Sequence, residues 1–345
     1  MNKNEYFYEL PDNLIALEPL EDRSSSKLVV LKNKTTKIHN FRDIYNLFDE
    51  NSLIVFNETK VFPARIYMQK DSGVGIEIFL LKDCGNNRWY CLSKGLNTKK
   101  KKHTLYVKNF PVRINILEKK DQELLIKFDQ NMKKLAYDIG ETPIPPYLKR
   151  KASNKDKKSY QSVFANDKYD SSSAAPTASL HFDNELMKHI KNKHDICFIT
   201  LSVGLGTFKP LPDGILDNVD TLHKEDYFIS KKSSILINEA LKNNRPIIAI
   251  GTTVLRALES SYNETLKLVN HGNSSTDLFI KEGFKFKVVD QLVTNFHLPE
   301  SSLLMLVSAF GGKENILKTY DEAIRNKLRF YSYGDAMYIK ECLSK

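Results

Sequence analysis

Three stretches in the second half of the chain set Gly, Thr, Asn, His and Arg directly after short apolar runs. Gly204-Leu205-Gly206-Thr207-Phe208 follows Val203, and Gly251-Thr252-Thr253-Val254-Leu255-Arg256 follows Ile250. Thr294-Asn295-Phe296-His297-Leu298-Pro299 follows Val293. If the apolar runs are parallel strands, all three exits lie at the carboxyl edge of one sheet, where α/β folds bind ligands. Thr252 or Thr253 can cap a helix starting at the Gly251 turn, leaving backbone N–H groups to meet an anion. Arg256, early in that helix, can clamp a carboxylate or phosphate bidentately. An ordinary capped helix with a surface Arg accounts for the same residues. Gly204-Leu205-Gly206-Thr207 lacks the third Gly of a dinucleotide fingerprint and the Gly-Lys-Ser/Thr of a P-loop, so alone it reads as a tight turn.

Three histidines, His181, His223 and His297, sit at turns rather than on helix faces. Glu225, two residues after His223, can orient that ring or act as a base. The spacings match no zinc-ligand pattern, and no metal is expected. Near the end, Asp335 stands beyond the aromatics Phe330, Tyr331 and Tyr333. Those rings can stack on a base; alternatively the turn is packed and Asp335 caps a following helix. The four cysteines, Cys84, Cys91, Cys197 and Cys342, form no CxxC pair and read as reduced, structural thiols.

The elements that would carry these residues change character along the chain. A length of 345 residues fits two domains. Ser52-Leu53-Ile54-Val55-Phe56 is a short apolar strand leading into Asn57-Glu58-Thr59-Lys60. From residue 66 to about 150, short alternating runs are separated by Gly-, Asn- and Lys-rich turns, the pattern of a small antiparallel sheet or barrel. That piece holds 17 Lys plus Arg against 9 Asp plus Glu, so +8 of the net +10 charge. The excess permits a polyanionic partner such as RNA, although Lys-rich usage alone produces the same balance. The run Lys99 to Lys102 is either a solvated strand turn or a phosphate contact. Pro143-Ile144-Pro145-Pro146-Tyr147 reads as an exit linker, and residues 151–159 as polar and mobile. Beyond Tyr160, strands at 196–203, 247–250 and 288–294 alternate with helices, one capped by Asp183 and one from about Pro299 to Phe310. This predicts an α/β domain with a mostly parallel sheet, residues 1–65 and 149–345, interrupted by a small antiparallel β-barrel at residues 66–148. No run reaches the roughly 18 apolar residues that span a bilayer, and the N-terminus has no signal-peptide core, so a cytoplasmic location is expected.

The blocks taken together resemble the S-adenosylmethionine:tRNA ribosyltransferase-isomerase family of queuosine biosynthesis. The resemblance rests on Tyr8-Glu9-Leu10-Pro11 with Leu14-Ile15-Ala16, and on Asn57-Glu58-Thr59-Lys60-Val61 with Pro63-Ala64-Arg65. It continues through Ala174-Ala175-Pro176-Thr177-Ala178 with Leu180-His181-Phe182, then the three strand exits, residues 303–310 and Ser332 to Met337. Departures are local. Ser171-Ser172-Ser173 stands where the family has Gly-Ser-Val, Ser179 where it has Gly, and Leu222-His223-Lys224-Glu225 where it has Met-His-Ser-Glu.

The resemblance implies transfer and isomerisation of the ribosyl part of S-adenosylmethionine onto a 7-aminomethyl-7-deazaguanine base in tRNA. The product is epoxyqueuosine-tRNA, with adenine and methionine released. It implies S-adenosylmethionine as ribosyl donor and tRNA as partner; no obligate protein partner is predicted, and a monomer is expected. The sulfonium acidifies the ribose C5′ proton, so a base is needed, and departing adenine calls for an acid. His223 and Glu225 are the expected proton carriers, with His297 or Asp335 as second partner. Substrate contacts are expected from Asn57, Thr59 and Arg65; from Pro176, Thr177, His181 and Phe182; and from Gly204, Gly206 and Thr207. Gly251, Thr252, Thr253, Asn295 and Tyr333 complete the set, with Arg256 on the methionine carboxylate. Two rivals differ in products: a methyltransferase leaves S-adenosylhomocysteine, and a non-catalytic RNA-binding protein turns nothing over.

Overall fold

The computed structural model describes residues 2–204, 211, 216, 219 and 221–345. The strands in chain order are β1 (Lys27–Lys32), β2 (Thr35–Asn40), β3 (Leu53–Asn57), β4 (Arg65–Gln69), β5 (Gly75–Asp83) and β6 (Arg88–Lys94). There follow β7 (Lys102–Val107), β8 (Phe110–Lys120), β9 (Glu123–Phe128), β10 (Asp195–Leu201), β11 (Thr221–Ile229) and β12 (Ile247–Ile250). The last are β13 (Tyr262–Asn263), β14 (Leu268–Val269), β15 (Gly272–Leu278), β16 (Gln291–Asn295) and β17 (Ala336–Ile339).

The main sheet runs β15-β11-β10-β3-β12-β16-β17-β1-β2. Its four central strands, β10, β3, β12 and β16, are mutually parallel. β3, β12 and β16 are buried along their whole length. Covered on both faces, they need apolar side chains on both, which is why Leu53-Ile54-Val55-Phe56 and Ile247-Ile248-Ala249-Ile250 read as unbroken runs. The flanks are antiparallel, β11 and β15 on one side and the β1–β2 hairpin on the other.

Between β3 and β10 the chain forms a closed barrel, β4-β5-β6-β9-β8-β7. Alternating residues fill its core, among them Ile66, Met68, Ile78, Leu80, Trp89 and Ile126. The Met132–Ile139 helix, capped by Asn131, packs Met132 and Ala136 into the same core. Gly140 ends that helix where a Cβ would lie 2.1 Å from the Pro63 carbonyl, so only glycine lets the chain return to the sheet here. The predicted fold, a sheet domain with a parallel centre interrupted by an antiparallel barrel, is the fold observed. β11 touches the barrel: Lys82 of β5 pairs with Asp226, and Glu123 of β9 lies 3.6 Å from His223.

Several local expectations need correction. The strand expected over 288–294 is Gln291–Asn295, because the N–H groups of Lys287, Val288 and Val289 donate to the buried Glu259 carboxylate instead of to a neighbouring strand. The helix expected from Pro299 starts at Ser302, capped by Ser301 through the Leu304 N–H. Residues 151–159, expected to be polar and mobile, are partly helical. Asn154–Ser159 is a helix opened by a Ser153–Asp156 capping box. Asp156 is fully buried there, accepting from Arg150 at 2.6 and 2.9 Å and from the Tyr333 hydroxyl at 2.7 Å. Burial alone would raise its pKa, but these donors together hold the carboxyl well below the usual range.

Candidate active site

The exits of β10, β12 and β16 line one cleft. Behind it the strand exits are tied together. Asn57, the last residue of β3, is fully buried and makes a two-way pairing with Leu201 of β10, each hydrogen bond 3.0 Å. The same side chain accepts from the Thr59 N–H and donates to Thr253 Oγ1 at 3.3 Å. Asn57 thus acts as a staple between three elements, and Thr59 is buried behind it. Ser172 Oγ accepts from the Val203 N–H at 2.7 Å and fixes the β10 exit. That gives the departure Ser171-Ser172-Ser173 a structural use.

At the β12 exit the expectation of a threonine cap fails. The helix begins at Thr252, and its cap is Gly251, with φ 97° and no side chain to offer. Positive φ at this sharp turn is the reason for glycine. The first-turn N–H groups have no intrahelical acceptor, and Gly251, Thr252 and Thr253 at this helix start line the cleft. Pro176 and Thr177 also line the cleft, with Ala175 and Ala178 as small apolar neighbours.

The β16 exit supplies Asn295 and His297. His297 is buried; its Nε2 lies 3.0 Å from Thr294 Oγ1. Its backbone is fixed by Tyr8, whose hydroxyl donates to the His297 carbonyl, and by Tyr320, which accepts from its N–H. Burial pushes the His297 pKa down to about 3, so the ring is neutral. His181 does not face the ligand space. It sits behind Asn295, Nε2 to Nδ2 at 3.1 Å, with its own pKa lowered to about 3 by burial and by the charges of Arg329 and Arg23.

Glu225 and Arg256 meet. Both are buried, the Arg256 guanidinium on one oxygen of the carboxylate and the Gly204 N–H on the other at 3.2 Å. Arg256 Nε also donates to the Leu278 carbonyl. The pair joins the β10 exit to the β12 helix from behind the cleft rather than lining it.

The remaining expected residues lie elsewhere. His223 is half-exposed beside Glu123 of the barrel. Arg65 pairs with Glu77 over the Phe79 ring within the barrel. Phe182 packs edge-on against Phe41 and Phe56 in the core. Tyr333 is committed to Asp156. Asp335 caps no helix; its oxygens accept from the Lys27 and Arg329 N–H groups at 2.7 Å, pinning β1 beside the start of β17. Gly206 and Thr207 lie outside the described residues.

Sequence reasoning missed Tyr147, Leu298, Ser301, Leu303, Tyr331 and Ser332 as cleft lining. Tyr147 accepts from the Ser332 N–H at 2.9 Å, which brings the supposed exit linker to the cleft mouth. Tyr331 has φ 71°, a conformation that bulky residues rarely adopt, but it gives no sign in the sequence.

A family described as "Queuosine biosynthesis protein" matches residues 3–339. The S-adenosylmethionine:tRNA ribosyltransferase-isomerase of Caldanaerobacter subterraneus subsp. tengcongensis is 44% identical, over 98% of this chain and all of the relative. That of Clostridioides difficile is 40% identical over 99% of this chain and all of the relative. Among solved structures, the S-adenosylmethionine tRNA ribosyltransferase of Thermotoga maritima superposes with a TM-score of 0.54 at 32% identity, covering 97% of this chain and 99% of that one.

Proposed function

The chain belongs to the queuosine biosynthesis protein family, and from that premise we propose that it is an S-adenosylmethionine:tRNA ribosyltransferase-isomerase. It transfers and isomerises the ribosyl moiety of S-adenosylmethionine onto 7-aminomethyl-7-deazaguanine in tRNA. The products are epoxyqueuosine-tRNA, adenine and methionine. The observation that carries this reading is the cleft itself: an uncapped helix start at Gly251–Thr252 beside a buried, neutral imidazole, His297. The helix start suits the methionine carboxylate, because N-terminal N–H groups and the positive end of the dipole favour an anion. This replaces Arg256, whose guanidinium is already turned onto Glu225.

The sulfonium makes the C5′ proton of the ribose acidic. His297 is the proton acceptor best supported by position, since it is the only one of the four expected carriers on the cleft wall. A neutral ring has a lone pair to offer. Glu225 with Arg256 acts as a structural clamp, Asp335 as a backbone anchor, and His223 as a group at the barrel–sheet junction that meets the RNA rather than the donor. Pro176, Thr177, Gly251, Thr252, Thr253 and Asn295 contact the donor.

Residues 66–148 form an inserted unit within residues 1–65 and 149–345, and this unit offers the tRNA surface. Support comes from its charge, +6 of +10 (15 Lys plus Arg against 9 Asp plus Glu), and from the exposure of Lys99 to Lys102 at one barrel turn. No described helix is long and apolar enough to cross a membrane; the enzyme acts in the cytoplasm as a monomer. The test is product analysis with tRNA bearing the aminomethyl-deazaguanine base. Free adenine and methionine in equal amounts support the reading. S-adenosylhomocysteine would make it a methyltransferase, and no turnover an RNA-binding protein.

A further inference from the structure

Asn295 ends β16 with its side chain buried, and its hydrogen bonds settle which amide atom is which. One amide atom lies 3.1 Å from the Tyr331 carbonyl oxygen. A carbonyl only accepts, so that atom is the nitrogen. The same nitrogen lies 3.1 Å from His181 Nε2. With one proton on the Tyr331 carbonyl, its second goes to His181, so Nε2 carries the lone pair. The His181 proton then sits on Nδ1, which donates to Ser26 Oγ at 2.8 Å. The imidazole is further held by stacking on Phe41, with ring centroids 4.7 Å apart.

This chain of donors commits both amide protons of Asn295 and leaves its oxygen behind. Asn295 Oδ1 is buried and has no partner among the described residues, while the residue lines the cleft. A buried amide acceptor without a donor is uncommon in a folded protein and asks for an explanation. The relay from Ser26 through His181 spends its hydrogen bonds on keeping the amide from turning over. Its effect is to leave the oxygen, not the nitrogen, as the amide's uncommitted atom in a residue that lines the cleft.

We propose that Asn295 Oδ1 reads an amino group of the ribosyl donor, and that His181 and Ser26 are positioning residues that hold the amide in that orientation. The proposal rests on the reading of this cleft as the S-adenosylmethionine site. The donor carries two amino groups, the adenine 6-amino group and the methionine α-ammonium, and both present N–H to an acceptor.

Titration calorimetry of the whole protein tests this with three ligands: S-adenosylmethionine, its analogue lacking the 6-amino group, and its analogue lacking the α-amino group. The wild type is expected to bind one analogue about tenfold more weakly than S-adenosylmethionine, the cost of stranding one buried acceptor, and the other within about threefold. The weaker one identifies the group read. Asn295→Ala should reduce the discrimination to within about twofold. His181→Phe, which frees the amide to turn, should do the same, and His181→Gln, which keeps an acceptor for Nδ2, should restore it. A purely structural role would instead weaken all three ligands alike and leave the ratio unchanged. If the wild type binds all three equally, the proposal is overturned without any variant. If the wild type does not bind S-adenosylmethionine at all, the cleft reading fails and takes the proposal with it.

Discussion

Arg256, one turn into the helix that follows β12, places its guanidinium on the Glu225 carboxylate of β11, and the two side chains are only 6% and 5% exposed. Glu225 spends its other oxygen on the Gly204 N–H. Two strand exits are therefore joined by one buried ion pair behind the cleft.

Removing one partner leaves an uncompensated buried charge, which costs about 3–5 kcal/mol. Glu225→Gln should lower the unfolding free energy by that order, measured by denaturant titration. Glu225→Leu combined with Arg256→Met should recover much of the loss, because a charge no longer sits unpaired. A single-variant loss under about 1 kcal/mol would mean the pair is not the clamp described.

His297→Leu keeps the backbone bonds to Tyr8 and Tyr320, since those use only main-chain atoms of residue 297. Single-turnover adenine release should fall by about 100-fold or more, the usual contribution of a positioned proton carrier. S-adenosylmethionine affinity should change far less. Adenine release at the wild-type rate would remove His297 from the proton chemistry.

His181 and His297 both have pKa values lowered by burial to about 3, against about 6.5 when unfolded. The unfolded chain then binds protons that the folded chain refuses. Stability from each ring is fully present above about pH 6.5 and is lost as pH falls toward 3. By pH 5 the loss is about 2 kcal/mol per ring. His297→Leu should therefore shrink the stability drop between pH 7 and pH 5 by about that amount. An unchanged drop would show that the ring is not held neutral by burial.

Lys99 to Lys102 stand exposed where the chain enters β7. Replacing the four with Gln should weaken tRNA binding. It should also flatten the dependence of log affinity on log salt by about 0.7–0.9 for each phosphate that is no longer neutralised. An unchanged slope would remove this turn from the RNA surface.

The strand exits were legible because their chemistry is local: an apolar run, then Gly, Thr or Asn within a few residues. The barrel was legible because alternation and turn residues repeat at short range. Pairings between distant residues were not. Asn295 and His181 are 114 positions apart, and Tyr333 reaches Asp156 across 177. Residues 151–159 read as polar and mobile because four lysines mask one aspartate that the fold buries. Arg256 read as a ligand clamp because nothing near it in sequence reveals Glu225 as its partner. The Gly251 cap was misjudged because two threonines beside a glycine look like capping residues, whereas positive φ gives the cap position to the glycine.

In the proposed reaction the ribosyl carbons, and not the methyl group, go to the RNA. The most direct measurement uses S-adenosylmethionine carrying one isotope in the ribose and another in the S-methyl group, with tRNA containing 7-aminomethyl-7-deazaguanine. The ribose label is expected in the tRNA and the methyl label in free methionine. Methyl label in the tRNA, or neither label there while tRNA remains bound, would contradict that reaction.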